Sequence, residues 1–151
     1  NNGDPSFVAA LKALEKGEIV GVFPEATISQ SFELKEMKTG VVRLAMESGA
    51  PVLPTIIWGS QRIWTKRQPR NFTRSNFPIT VAIGEPMFFG KDHDPELGLL
   101  ALKESMAKLL KNVQESYPDS HIGQRWAPAS LGGTAPTLEM VELEKRKRKD
   151  P

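Results

Sequence analysis

Short apolar runs alternate with helical patterns along this 151-residue chain, and that alternation limits the possible folds more than any other feature. Apolar side chains recur at helical spacing in three stretches, residues 5–16, 37–48 and 95–117. Three short apolar runs, typical of buried strands, occupy residues 19–23, 52–58 and 79–83. This order predicts an α/β fold with a mostly parallel sheet flanked by helices.

Polar residues follow two of the predicted strands. Glu25 comes just after the first apolar run, and Arg62 comes shortly after the second. Because ligands bind beyond the carboxyl ends of strands in parallel sheets, these two loops are predicted to face a shared site. Pro54 interrupts the second run, and since proline has no N–H to donate, it indicates a sheet edge or a bulge.

The composition changes after residue 117. Residues 118–151 are rich in Gly, Pro, Ser and charged side chains, and every residue from 145 to 149 is basic. Such a composition is typical of a solvated segment. We therefore predict that residues 1–117 fold and that residues 118–151 form an irregular, basic C-terminal tail.

Charge and cysteine content narrow the function. The chain has no cysteine, which excludes a disulfide framework, a thiolate metal site and a cysteine nucleophile, and we expect no metal. Its net charge of +2 is too small to indicate a nucleic-acid partner by itself. No apolar run approaches the roughly 20 residues of a membrane span. The first residue is Asn rather than Met, so we expect the chain to begin inside a longer protein.

Residues 61–78, here called the basic-aromatic segment, contain cations but no acidic residue. The cations are Arg62, Lys66, Arg67, Arg70 and Arg74. The aromatic residues in and just before the segment are Trp58, Trp64, Phe72 and Phe77. This mixture favours a surface that meets anionic lipid head groups. Nucleic-acid binding uses the same ingredients, and a solvated loop with its aromatics in the core remains a further interpretation.

Three sequence blocks carry a resemblance to a known family. Residues 23–29, Phe-Pro-Glu-Ala-Thr-Ile-Ser, are similar to the third block of the glycerol-phosphate and lysophosphatidic acid acyltransferases, usually Phe/Val-Pro-Glu-Gly-Thr-Arg-Ser. Residues 38–40, Lys-Thr-Gly, match the family's Lys-x-Gly, and residues 50–57 resemble its fourth block, Val-Pro-Ile-Val-Pro-Val. Their order and spacing make the signal specific, and the resemblance covers about residues 4–87. Residues 1–117 would then be the C-terminal part of an acyltransferase domain.

The resemblance implies an enzyme that moves a fatty acyl group from acyl-CoA or an acyl carrier protein to a hydroxyl of a lysophospholipid or glycerol phosphate. The acyl thioester is a co-substrate, and no cofactor is implied. The acceptor's polar head would be bound by Glu25, Thr27, Lys38, Gly40 and Arg62. Glu25 would accept a hydrogen bond from a glycerol hydroxyl, because a carboxylate repels phosphate. The location implied is peripheral, at the cytosolic face of a membrane.

Two residues depart from the family pattern. Ala26 stands where the family usually has glycine, and Ile28 stands where it usually has arginine. Alanine is tolerated unless the backbone needs a positive φ at that position. The missing arginine removes one cation from the loop, and Lys35 and Lys38 are the candidates to replace it, as point charges without a bidentate fork.

The family's catalytic block is absent from the chain. In that block, His-x-x-x-x-Asp, the histidine acts as general base and the aspartate orients it. The fifth residue after His93 is Gly98, and the fifth after His121 is Trp126. We therefore expect no catalytic residue here, an inactive fragment, and the first two blocks before Asn1. The alternative is a non-catalytic module that binds membrane surfaces.

Overall fold

The structure is a computed structural model that describes residues 4–66, 68–73 and 76–149. Within them the chain forms α-helices and a two-stranded sheet. The elements in chain order are α1 (Pro5–Glu15), α2 (Gly40–Ser48), β1 (Thr55–Trp58), β2 (Thr80–Ile83), α3 (Pro95–Glu115) and α4 (Leu138–Lys149). The α/β class is confirmed, as are the three predicted helices, which became α1, α2 and α3.

Capping residues explain where the helices begin. The Asp4 side chain accepts the N–H of Ser6 at 2.8 Å, and Pro5 follows with its φ already suited to a helix. Asp94 caps α3 in the same way and is followed by Pro95. Gly49 ends α2 with φ of 71°, a left-handed conformation that glycine adopts without strain. The sequence therefore determines these helix ends locally.

The predicted parallel sheet is wrong for the strands described here. β1 and β2 are antiparallel, with Ile57 opposite Val81. The reason lies in their connection. The residues of 59–79 that the structure describes contain only a short 3-10 turn, whereas a parallel pair needs a long crossover, usually a helix. Pro54 precedes β1, as its missing N–H requires, and pairing resumes beyond it at a bridge between Val52 and Met87.

The apolar run of residues 19–23 is not a buried strand, so this prediction is also wrong. Its backbone pairs with no strand in the described part of the chain. Ile19 is 98% exposed and Phe23 is 87% exposed. Apolar composition alone does not supply a neighbouring strand, and without one the backbone groups have no ladder to join. Glu25 therefore does not follow a strand end, and the predicted shared strand-end site does not form.

The main core lies between the sheet and α3 and extends to the C-terminal segment. Ile56 and Trp58 from β1 join a buried cluster with Val113 of α3. Trp126 and Ala127 belong to the same cluster although they follow α3. A smaller cluster joins α2 to the segment before α3, through Val42, Ala45 and Phe89.

Residues after 117 are not irregular, contrary to the composition-based prediction. They include α4 and several buried side chains, among them Trp126 and Val141. The basic run of residues 145–149 forms the end of α4. The glycine content led to the wrong prediction, because glycine here serves packing. Gly133 lies so close to Ala127 that an added Cβ would collide with the Ala127 carbonyl oxygen. The division at residue 117 into domain and tail stays a prediction.

The helices in the described part of the chain include none with the combined length and apolar character needed to cross a membrane.

Candidate functional site

Residues 24–38, here called the Glu25 loop, form a closed loop before α2. The N–H of Lys38 donates to the carbonyl of Pro24 at 3.1 Å and closes the loop at its base. The backbone N–H and the charge of Lys35 both lower the pKa of the Glu25 carboxyl. The loop thus brings Glu25 and the backbone of Lys38 together at one end. Thr27 lies in the same loop, and Gly40 follows it directly as the first residue of α2.

Glu25 is half-buried in this loop. Burial raises the pKa of its carboxyl, and the Lys35 N–H and the Lys35 charge offset part of that rise. A half-buried carboxylate keeps lone pairs that can accept a hydrogen bond. The hydroxyl that Glu25 is predicted to accept stays a prediction.

The two hydroxyl side chains of the motif have different environments. Thr27 is exposed, as is its neighbour Ile28. The hydroxyl of Ser29 points into the loop instead and donates to the carbonyl of Glu33 at 2.8 Å. Thr27 is therefore placed to meet a ligand, whereas Ser29 supports the loop itself.

Ala26 adopts a left-handed conformation with φ of 55°. Its N–H donates to the carbonyl of Phe23 at 3.1 Å, which makes a tight turn at the start of the loop. An L-residue with a Cβ is strained in this region, whereas glycine is not. The glycine usual in the related family would thus suit this position better than the alanine found here.

Lys38 and Gly40 are both exposed at the mouth of the loop. A Cβ added at Gly40 would meet no atom within 4 Å, so the space beside its backbone is open. This open space is compatible with the expectation that another molecule approaches the backbone at Gly40. The folded chain itself does not require glycine at this position.

Arg62 lies in a different environment from the other predicted site residues. Its guanidinium forms an ion pair with Asp119 and donates to the Tyr117 hydroxyl at 3.1 Å. It also stacks over the rings of Phe77 at 4.1 Å and Trp126 at 4.4 Å. The Arg62 side chain is therefore engaged in contacts within the folded chain. None of these partners belongs to the Glu25 loop.

The two histidines are placed apart from the loop motif. His93 is exposed just before α3, and its ring packs against Phe89 at 5.3 Å between centroids. His121 packs against Trp126 at 5.3 Å and Tyr117 at 5.8 Å, and burial lowers its pKa. Trp58 completes this group of rings at 5.9 Å from His121.

We call the four rings of Trp58, Tyr117, His121 and Trp126 the aromatic cluster. Sequence analysis missed this cluster because its members come from β1, from the end of the predicted helix at Tyr117 and from the predicted tail. The available signal was the occurrence of three ring residues within ten positions at 117–126, two of them in the predicted tail.

The C-terminal segment also supports the Glu25 loop, which sequence analysis did not predict. The hydroxyl of Ser130 donates to the carboxylate of Glu33 at 2.8 Å. Phe32 is buried in the same core cluster as Ala127 and Ala135, despite a strained φ of 59°. Tertiary packing therefore holds the far side of the loop in a conformation that the local sequence does not favour.

α4 lies close to the same side of the loop. The pKa of Glu142 is lowered first by its bond to Lys145 and additionally by the charge of Lys35. The charge of Lys35 in the loop therefore acts on a carboxylate of α4.

Comparison with known proteins supports the resemblance seen in the motifs. Residues 4–58 match the family model described as Acyltransferase, and this range includes all three sequence blocks. The chain is 27% identical over 118 residues to the 1-acyl-sn-glycerol-3-phosphate acyltransferase of Bacillus subtilis, which covers 76% of this chain and 51% of that protein. No solved structure matches the chain.

Two further proteins with the same name are similar over shorter stretches. The protein from Borreliella burgdorferi is 27% identical over 59 residues, 39% of this chain and 24% of its own length. The protein from Limnanthes douglasii is 36% identical over 73 residues, 48% of this chain and 25% of its own length. The chain thus spans about half the length of these curated relatives or less. Together with the family match, they confirm the predicted relationship to the glycerolipid acyltransferases.

Proposed function

We propose that this chain, as a relative of the glycerolipid acyltransferases, contributes the acceptor-binding part of an enzyme that acylates a lysophospholipid or glycerol phosphate. The observation that carries the proposal is the closed Glu25 loop. The Lys38 N–H donates to the Pro24 carbonyl at its base, and the half-buried Glu25 is the residue next to this closure. A carboxylate and a cation at one loop base suit a molecule that carries both hydroxyl and phosphate groups.

Different residues of the loop would bind different groups of the acceptor. Glu25 accepts a hydrogen bond from a glycerol hydroxyl, while the cation of Lys38 faces the phosphate, helped by Lys35. Thr27 donates its hydroxyl to a phosphate oxygen. The open space at Gly40 lets the acceptor approach the backbone. Arg62 is a weaker candidate for phosphate, since Asp119 already balances its charge.

The chemistry needs a group that this chain does not provide at the expected spacing. The acceptor hydroxyl attacks the thioester carbonyl of acyl-CoA or an acyl carrier protein, and a base removes the hydroxyl proton. The tetrahedral intermediate then expels the thiolate, which takes up a proton, and the acyl ester remains. Because neither histidine has an aspartate five residues later, we propose that the chain alone binds acceptor but does not catalyse transfer.

Titration calorimetry with sn-glycerol 3-phosphate tests the acceptor site. The soluble acceptor avoids any contribution from a lipid surface. Lys38→Ala is expected to weaken binding about tenfold, since it removes a charged hydrogen-bond partner. Lys108→Ala is the matched control, because Lys108 is an exposed lysine on α3. Equal affinity in Lys38→Ala, Glu25→Gln and the unmodified chain would disprove the site assignment.

An assay with radiolabelled acyl-CoA tests the enzyme activity. A protein in which a His-x-x-x-x-Asp block precedes these residues should acylate lysophosphatidic acid, and the 151-residue chain should not. Lys38→Ala in that protein should raise KM for the acceptor more than it lowers kcat, because its contact is with the non-reacting phosphate. Turnover by the short chain at a comparable rate would contradict its proposed inactivity.

We also propose a peripheral location at the cytosolic face of a membrane. Two of the proposed substrates, acyl-CoA and lysophospholipids, are amphiphiles that partition into bilayers. A non-catalytic membrane-binding module is the second candidate function. The exposed aromatic rings of the basic-aromatic segment favour it. It would replace the first proposal if the chain bound lipid vesicles but showed no affinity for glycerol 3-phosphate.

A further inference from the structure

The basic-aromatic segment, residues 61–78, has two sides that differ in burial. Phe77 stacks on Arg62 and is partly buried, and Trp58, which precedes the segment, is buried in the core. Trp64 and Phe72 are instead 58% and 70% exposed. Folding of the chain therefore leaves two large aromatic rings in water within nine residues of sequence.

Cations surround the exposed rings. The guanidinium of Arg70 lies 4.6 Å from the centre of the Trp64 ring, and Lys66 is exposed two residues beyond Trp64. No acidic residue occurs between residues 61 and 78. Arg67 and Arg74 belong to the same segment by sequence and lie outside the described residues. The exposed rings therefore lie in a strongly positive stretch.

The base of the segment is ordered by hydrogen bonds. The N–H of Asn71 donates to the carbonyl of Ile63 at 2.8 Å and closes a loop around residues 63–71. Thr65 is buried within it, and the amide of Gln68 donates to the carbonyl of Arg125 at 3.0 Å. These contacts fix Trp64 relative to the rest of the molecule. A surface held in this way loses little conformational entropy when it binds.

We propose that Trp64, Phe72, Lys66 and Arg70 form a docking surface for anionic phospholipid bilayers. The rings enter the interface at the level of the head groups, where indole and phenyl groups are favoured. Arg70 stays stacked on Trp64 and directs its N–H groups to a lipid phosphate, while Lys66 adds a point charge. The surface is separate from the Glu25 loop, so it brings the acceptor site to the membrane without taking part in acceptor binding.

A bilayer fits these features better than a nucleic acid. Arg70 covers one face of the Trp64 ring, which leaves a single face on which a base could stack. The edge of the indole is sufficient for shallow insertion between lipid head groups. A peripheral surface of this kind needs no long apolar segment, since aromatic area and cationic charge act together.

Tryptophan fluorescence provides a direct test with the full chain. Trp58 and Trp126 are buried, so Trp64 dominates any change in exposure of the indoles to lipid. Vesicles of phosphatidylcholine with phosphatidylglycerol are expected to shift the emission to shorter wavelength, and lipids with brominated acyl chains should quench it. Vesicles of phosphatidylcholine alone should do neither. Salt should weaken the binding, because the Debye length falls to about 3 Å at 1 M.

Variants locate the surface by co-sedimentation with the anionic vesicles. Arg70→Gln should weaken partition about fivefold, as expected for one cation near a charged surface. Phe72→Ala should weaken it roughly tenfold through the lost apolar area. Phe88→Ala is the control, because Phe88 is 73% exposed but lies outside the segment. It should bind as the unmodified chain does.

Three results would overturn the proposal. These are equal binding to neutral and anionic vesicles, equal losses in Phe88→Ala and Phe72→Ala, and binding without a change in the Trp64 emission. Tighter, Trp64-dependent binding of a single-stranded RNA oligonucleotide would assign the surface to nucleic acid instead. The vesicles contain no acceptor, and Lys38→Ala should sediment normally. Failure here is therefore distinct from failure of the acceptor site.

Discussion

The Glu25 loop and the aromatic cluster around Trp126 differ in almost every physical respect. The loop carries most of the family's sequence motif, follows an exposed Phe23 and contains strained backbone at Ala26 and Phe32. The aromatic cluster carries no motif, yet its rings pack against each other and stack on Arg62, which is paired with Asp119. The motif-bearing region is thus exposed and strained, whereas the C-terminal segment contributes packed rings to the core.

The largest expected effect follows from this difference in packing. Trp126→Ala should lower the free energy of unfolding by about 3–5 kcal/mol, because it removes a core ring and the stacking partner of Arg62. Phe23→Ala should change it by less than about 0.5 kcal/mol, since exposed side chains contribute little. Urea denaturation followed by circular dichroism measures both. Similar losses in the two variants would show that the two regions are equally well packed.

Two glycines extend the comparison to the backbone. Gly133→Ala should cost about 2–3 kcal/mol, because the new Cβ would collide with the backbone of Ala127 beside the cluster. Gly40→Ala should leave stability within about 0.5 kcal/mol of the unmodified chain, since the space there is open. The same denaturation measurement applies.

Gly40→Ala has a second readout. If an acceptor approaches the backbone at Gly40, the substitution should weaken glycerol 3-phosphate binding while stability is unchanged. An unchanged affinity would remove Gly40 from the proposed site.

The strained turn of the Glu25 loop predicts a stabilising substitution. Ala26→Gly should raise the free energy of unfolding by about 0.5–1 kcal/mol, because glycine relieves the positive φ and the gain exceeds its larger unfolded-state entropy. Ala101→Gly is the matched control at an exposed position inside α3, where the same change should cost about 1 kcal/mol. If both variants lose stability, the turn at Ala26 is not strained.

Local chemistry made part of this fold predictable from the sequence. Asp4 with Pro5 and Asp94 with Pro95 specify two helix starts within a few residues, and both helices begin there. The antiparallel direction of the sheet was not determined locally, because it depended on the connection between β1 and β2, whose described residues include no α-helix. The packing of Trp126 depends on partners more than 60 positions away, such as Trp58, and composition gave no sign of it.

The candidate site was predictable to a similar extent. The three sequence blocks identified the loop, and the structure closes it at Lys38 as a single unit. The role of Ser130, which donates to Glu33 from the other end of the chain, had no sequence signal. The cost of alanine at position 26 depended on a φ angle that only the folded chain reveals.

The smallest expected effect is a difference in the acid response of the two regions. Burial lowers the pKa of His121 from its ordinary value of 6.5, so the fold favours the neutral ring. The contribution of His121 to the free energy of unfolding is therefore complete above pH 6.5. It is lost as the pH falls below that value, because the unfolded chain takes up the proton first. His121→Phe should therefore remove part of the loss of stability between about pH 7 and about pH 5.

For Glu25 the expected dependence of stability on pH has the opposite sign. Burial raises the pKa of its carboxyl above the ordinary value of 4.5, so its contribution is complete below pH 4.5 and is lost as the pH rises through the raised pKa. Glu25→Gln should therefore make the chain relatively more stable near neutral pH than in acid, compared with the unmodified protein. Denaturation midpoints across the pH range measure both variants. If they shift the profile in the same direction, the cluster and the loop do not differ in electrostatics as their burial and partners indicate.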